Sequence, residues 1–183
     1  AKSLQTVLAV KLTETTYLPL PEAEEGIISP QAVDIIINEL RNYDVVLVGP
    51  GMGQREPTVQ FLQYLFASLK KEKLKIIFDA DALNVLAAMP EWWQRFTYDA
   101  ILTPHPGEMA RLTGKSIDVS QRDRLGIARE AAEKWQKTVV LKGAYTVIAA
   151  PDGRLAVSPF ANAGLASAGT GDVLAGVIAG FAA

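Results

Sequence analysis

Short runs built almost wholly from branched apolar residues constrain this chain more than any other feature. Asp44–Val48, Lys75–Asp79, Ala100–Thr103 and Thr138–Lys142 carry VVLV, KIIF, AIL and TVVL at their centres. A strand with one wet face alternates apolar and polar residues, whereas a strand covered on both faces need not. Between these runs lie stretches of helical period, at Gln31–Arg41, Thr58–Lys71 and Arg122–Gln136, with shorter ones at Ala82–Ala88 and Gly107–Thr113. Strands alternating with helices predict an α/β fold: a mostly parallel sheet with helices on both faces. Further strands are expected at Thr6–Lys11, Thr146–Ala150 and Leu155–Val157. The last two flank Pro151-Asp152-Gly153-Arg154, a hairpin signal that gives the sheet an antiparallel edge near its C-terminus. No repeat, low-complexity segment or linker interrupts the 183 residues, of which 49% are hydrophobic, so one domain over residues 1–183 is expected.

The composition removes several function classes. A net charge of −2 offers no electrostatic footprint for nucleic acid. The one basic cluster, Lys70, Lys71, Lys73 and Lys75, falls where a helix ends, and a solvated helix C-terminus accounts for it. Cysteine is absent and His105 is the single histidine, which leaves no thiolate or multi-histidine metal site. The longest apolar stretch, Val173–Ala183, is about half of the roughly 20 residues that span a bilayer. The first residues lack the pattern of an export signal. A cytoplasmic protein without a membrane or nucleic-acid partner is expected. The chain has no initiator Met and stops inside an apolar helical pattern, so it reads as a domain cut at both ends.

Open parallel sheets bind ligands outside the carboxyl ends of their strands. Five polar or glycine-rich segments follow strands or precede the last helix. They are GPGMG (Gly49–Gly53), DADALN (Asp79–Asn84), TPHPGE (Thr103–Glu108), KGAYT (Lys142–Thr146) and AGTGD (Ala168–Asp172). GPGMG lacks the third glycine of a dinucleotide fingerprint and the Lys-Ser/Thr of a P-loop. It is either a plain turn or a place where the main chain lies flat against a ligand, with Gly51 and Gly53 the contacts. In DADALN, Asp79 or Asp81 is expected to cap the next helix, while Asn84 faces the rim and a polar ligand. Two prolines hold Thr103 and His105 extended, which suits a rigidly held imidazole that contacts a ligand. Glu108 then falls in the first turn of a helix, where its charge favours the positive dipole end. Lys142 marks the end of a strand, and Gly143 and Ala144 permit close approach of a flat ring or phosphates. In AGTGD, Gly169 and Gly171 let successive N–H groups face one concavity at a helix N-terminus, an anion cradle. A carboxylate beside bound phosphate is repelled, so Asp172 makes sense there as a base that takes a proton from a hydroxyl attacking phosphorus.

These segments, in this order, resemble the ribokinase-like superfamily, with its G-x-G-D ending, and within it the ADP/ATP-dependent NAD(P)H-hydrate dehydratases. The resemblance runs from about Asp44 to the C-terminus and rests chiefly on TPHPGE with GTGDVL. It implies a ribokinase-like three-layer sandwich. It also implies a repair reaction in which hydrated NADH or NADPH is phosphorylated on its ring hydroxyl and loses phosphate. ADP serves in bacterial members and ATP in eukaryotic ones, with Mg²⁺ on the nucleotide phosphates and no all-protein cage for it. By position, Asp172 corresponds to the base and Gly169, Thr170 and Gly171 to the anion cradle. Gly51, Gly53 and His105 correspond to contacts with the hydrated nucleotide, which is also the polar ligand expected for Asn84. Lys142, Gly143, Ala144, Tyr145 and Thr146, with Gly171, correspond to the ADP- or ATP-binding segment. Family members form homo-oligomers. The chain departs from the family's N-P-G-M-A at Asn162-Ala-Gly-Leu-Ala166, and has Ala168-Gly169 where two glycines are common. A ribokinase-like small-molecule kinase, or a nucleotide-binding fragment without turnover, are the alternative readings.

Overall fold

The computed structural model describes residues 1–69, 74–96 and 98–183; Lys70, Lys71 and Lys73 of the basic cluster, and the end of the helix expected at Thr58–Lys71, lie outside the described residues. In chain order the elements are α1 (Gln5–Lys11), β1 (Glu22–Glu24), β2 (Ile27–Ile28), α2 (Ala32–Glu39), β3 (Val45–Val48), α3 (Glu56–Ser68), β4 (Lys75–Phe78) and α4 (Asp81–Ala87). Then follow α5 (Trp92–Arg95), β5 (Ala100–Leu102), α6 (Pro106–Thr113), α7 (Ile117–Arg122), α8 (Arg124–Trp135), β6 (Thr138–Leu141), β7 (Val147–Ala149), β8 (Leu155–Val157) and α9 (Thr170–Ala182). They fall into two compact units. One comprises Ala1–Tyr43 with residues 52–70, the other Asp44–Gly51 with residues 71–183.

In the smaller unit α2 packs on α3, and α3 on β2, the second strand of an antiparallel hairpin with β1. Phe61, Leu62, Leu65 and Phe66 recur at helical spacing and make the buried stripe of α3. The strand expected at Thr6–Lys11 is a helix. Leu4, Val7 and Leu8 repeat at i, i+3 and i+4, a period that the β-branched content of the run disguises. None of the residues of α1 is buried.

The larger unit holds a six-stranded sheet in the order β3-β4-β5-β6-β7-β8. Strands β3 to β6 are parallel and β6–β7–β8 antiparallel, the last pair closed by the turn around Pro151 to Arg154. The expected mixed α/β sheet with an antiparallel edge is present. Ile76, Ile77 and Phe78 of β4 are wholly buried, as expected of an inner parallel strand, while Val45–Leu47 of the edge strand β3 are half-buried. Helix α8 packs on β6 and β7, and α9 lies against β3 and β4. Lys75 Nζ donates to Ala182 O at 2.7 Å, placing a cation on the negative end of α9. Aromatic side chains fill the space beneath β4: Trp92 sits 5.2 Å from Trp135 and 6.2 Å from Phe96, ring centre to ring centre. Among the described residues no helix is long and apolar enough to cross a membrane.

Candidate active site

Parallel pairing brings the carboxyl ends of β3, β4, β5 and β6 to one rim. There Asp79 N–H donates to Val48 O, Thr103 N–H to Phe78 O and Lys142 N–H to Pro104 O. Gly49 turns the chain away from β3 with φ +127°, and a Cβ there would overlap the carbonyl oxygen of Asp79. Only glycine fits that crossing.

Asp79 does not cap α4. Ala80 holds the N-cap position with no side-chain cap. The Asp79 carboxylate instead turns into the rim, where it is 2% exposed and accepts from Lys142 Nζ and Thr103 Oγ1, both at 2.7 Å. Glu108 Oε2 lies 3.8 Å from the same ammonium. One largely covered cation, 19% exposed, thus faces two buried carboxylates, one at the end of β4 and one in the first turn of α6, and a donated hydroxyl completes the Asp79 oxygen's set. Burying a charge without such partners costs several kcal/mol, roughly. Lys142, expected at the end of a strand and in the nucleotide segment, finds its carboxylate partner 63 residues away, and no local pattern announces it.

His105 is the N-cap of α6. Its Nδ1 accepts from the Gly107 and Glu108 amides at 3.0 and 3.4 Å, and Glu108 Oε2 accepts from the His105 amide at 2.8 Å, a reciprocal capping box. An accepting Nδ1 puts the proton of the neutral ring on Nε2, which stands 3.5 Å from Glu108 Oε1. The imidazole is half exposed at the rim. Asn84 is partly committed elsewhere, because its Oδ1 accepts from Arg111 Nε at 2.8 Å between α4 and α6. Gly51 and Gly53 both adopt positive φ, +69° and +73°; Gly51 belongs to the larger unit and Gly53 to the smaller.

Helix α9 begins at Gly169, whose φ of +89° sets the left-handed turn before the first helical residue. No side chain caps it, and its first intrahelical bond runs from Val173 N–H to Gly169 O. The Thr170 hydroxyl turns back to Leu165 O and Ser167 O, 2.8 Å from each, and ties down the preceding loop. The Gly171 and Asp172 amides are left at the positive end of a 13-residue helix. A Cβ built on Gly171 would stand 3.7 Å from Lys142 Nζ, so the ammonium and the open helix end converge. Asp172 is exposed and forms no ion pair with a described residue. The arrangement can hold an anion between Lys142 and the α9 amides, with the exposed Asp172 carboxylate at its edge.

Comparison with known proteins places the chain in a family. A carbohydrate-kinase family model, described as NAD(P)H-hydrate dehydratase, matches residues 5–183. The chain belongs to the NAD(P)H-hydrate dehydratase family. Among the family's curated members, the bifunctional NAD(P)H-hydrate repair enzyme Nnr of Moorella thermoacetica is 43% identical over 181 residues, 99% of this chain and 34% of that one. The ADP-dependent (S)-NAD(P)H-hydrate dehydratase of Bacillus subtilis is 37% identical over 151 residues, 82% of this chain and 51% of its own length. The chain therefore spans about a third to a half of the curated relatives it matches. Among solved structures, the B. subtilis ADP/ATP-dependent NAD(P)H-hydrate dehydratase, crystallised with ATP and Mg²⁺ and soaked with CoA, is 33% identical. It superimposes with a TM-score of 0.64 over 84% of this chain and 61% of that one. A ribokinase-like superfamily protein of Enterococcus faecalis is 30% identical, with a TM-score of 0.70 over 84% and 52% of the two chains.

Proposed function

We propose that the protein containing this chain converts hydrated NADH or NADPH back to NADH or NADPH, using the terminal phosphoryl group of ADP or ATP. The observation that carries the reading is the exposed Asp172 carboxylate, without an ion pair among the described residues, beside the open N-terminus of α9, where Lys142 Nζ also arrives.

The roles follow from charge. As the ring hydroxyl of the hydrate attacks phosphorus, Asp172 takes its proton and the O–P bond forms while the bond to the departing nucleotide breaks. The Gly171 and Asp172 amides and the Lys142 ammonium hold the negative charge on the phosphoryl oxygens as it redistributes. Phosphate, a better leaving group than hydroxide, then departs with loss of a proton from the neighbouring ring carbon, and the ring double bond re-forms. Gly169 and Thr170 shape the cradle; Gly51, Gly53, Asn84 and His105 are assigned to the hydrated nucleotide. Residues 142–146, with Gly171, are assigned to ADP or ATP. Among the described residues no three of His, Cys, Asp or Glu converge on a metal position. A Mg²⁺ ion brought in with the nucleotide would offset phosphate charge there.

The test supplies the protein with hydrated NADH, Mg²⁺ and either ADP or ATP, and follows NADH absorbance. Recovery with either nucleotide supports the reading, and no recovery with both rejects it. A cytoplasmic location and a homo-oligomer belong to the same proposal, the latter motivated by exposed Val173, Val177 and Phe181 on α9 and checked by sedimentation.

A further inference from the structure

Behind the loop Lys142–Thr146 stands a residue to which none of the roles above has been given. Arg124, the first residue of α8, donates from Nη1 to Ala144 O at 2.9 Å and from Nη2 to Leu141 O at 3.0 Å and Lys142 O at 3.3 Å. No carboxylate pairs with it among the described residues, and its buried Nε has no acceptor there. Burial pulls its guanidinium below the ordinary arginine value. A cation kept under those conditions and satisfied by neutral carbonyls alone contributes shape and field rather than an ion pair.

The shape follows from peptide planarity. A trans peptide unit points its C=O and N–H in opposite directions. With the Lys142 carbonyl held toward Arg124, the Gly143 N–H faces away from it. The Gly143 carbonyl is likewise occupied, by the Thr146 hydroxyl at 2.9 Å, which turns the Ala144 N–H outward. Neither amide has an acceptor among the described residues, and both residues are exposed. The neighbouring Tyr145 N–H is committed to Phe160 O, so the two open amides lie between fixed points. Gly143 itself has φ +142°, and a Cβ on it would meet Arg124 Nη1 at 2.7 Å. The guanidinium fills the space that any other side chain at 143 would take.

We propose that Arg124 is the positioning residue of the nucleotide loop. From behind, its guanidinium fixes three carbonyls so that the Gly143 and Ala144 amides are presented to an oxygen of ADP or ATP, and its unneutralised charge favours that anion. The proposal rests on the reading that residues 142–146 take the nucleotide.

The experiment is a calorimetric titration of ADP and of ATP, with Mg²⁺, into the wild-type chain, Arg124→Lys and Gly143→Ala, each first checked for a cooperative melt. Lysine keeps the charge but lacks the planar fork, so Arg124→Lys weakens nucleotide binding by about tenfold or more through lost pre-organisation. Turnover at saturating nucleotide stays within about threefold, because nothing that meets the reacting atoms has changed. Gly143→Ala, which displaces the guanidinium from the other side, weakens binding to a similar extent. A folded Arg124→Lys whose affinity stays within about twofold of wild type overturns the proposal. Should Arg124→Lys fail to fold, Gly143→Ala decides by the same criterion. A wild type that binds neither nucleotide overturns the assignment of residues 142–146 and this inference with it. One that binds nucleotide without turning over hydrate sinks the proposed reaction, yet leaves Arg124 judged by affinity.

Discussion

Lys142 Nζ reaches Asp79 Oδ1 at 2.7 Å across the carboxyl ends of β6 and β4, and the Thr103 hydroxyl from the intervening β5 closes on the same oxygen. This link ties three parallel strands together at the rim and leaves the ammonium beside Gly171, where the last helix opens. A buried pair of this kind contributes little net stability compared with an apolar pair of equal volume, so its place at the rim points to chemistry.

Breaking the pair from one side should therefore be costly. Lys142→Met strands a carboxylate that is 2% exposed, and unfolding free energy falls by about 3–5 kcal/mol. Adding Asp79→Asn to the same chain restores much of that loss without restoring turnover. Urea denaturation of the single and double variants measures the first effect, and hydrate turnover the second.

Asp172→Asn keeps size and hydrogen bonding but removes the base. Turnover drops by about 10²–10⁴-fold while nucleotide affinity changes little. Asp172 is exposed and forms no ion pair with a described residue, so stability is unchanged and a thermal melt superimposes on that of wild type.

Gly49→Ala places a Cβ against the Asp79 carbonyl at φ +127°. Backbone strain and overpacking together lower stability by about 2–4 kcal/mol, read as a shift in the denaturation midpoint. Gly51→Ala, at φ +69° with open space around the added carbon, carries the strain alone and costs less.

Lys137, 4% exposed, has its ammonium pulled below the ordinary lysine value by burial, against an opposing pull from Asp99. The folded state holds this proton less tightly than the unfolded chain, so stability rises with pH over the alkaline window below the ordinary lysine value. Lys137→Met removes the buried charge: it raises stability at neutral pH and flattens the alkaline rise. Thermal melts across that window check the sign.

The sheet was legible because its inner strands are apolar after their first residue; Ile76, Ile77 and Phe78 leave no other place for themselves than a core covered on both faces. The hairpin of β7 and β8 was announced by its turn residues, and the helix after AGTGD by its small, apolar pattern. Strand Thr6–Lys11 was misread because valine content outweighed the i, i+3, i+4 spacing of Leu4, Val7 and Leu8. The rim's glycines were visible one at a time, but the partners of Lys142 and Arg124 were not. Asp79 is 63 residues from Lys142, and Arg124 holds carbonyls 17 to 20 residues away; nothing local marks either link. His105 was singled out as a rigid imidazole and is held so by its capping box, a role that S/T-based capping patterns do not reveal.

The central claim is that the α9 N-terminus and Lys142 hold the phosphoryl group that moves. Crystals soaked with ATP and Mg²⁺ test it most directly. The account predicts the terminal phosphate within hydrogen-bond reach of the Gly171 amide and Lys142 Nζ, with the Asp172 carboxylate facing its phosphorus. A nucleotide bound with that phosphate away from α9, and Asp172 turned to solvent, contradicts it.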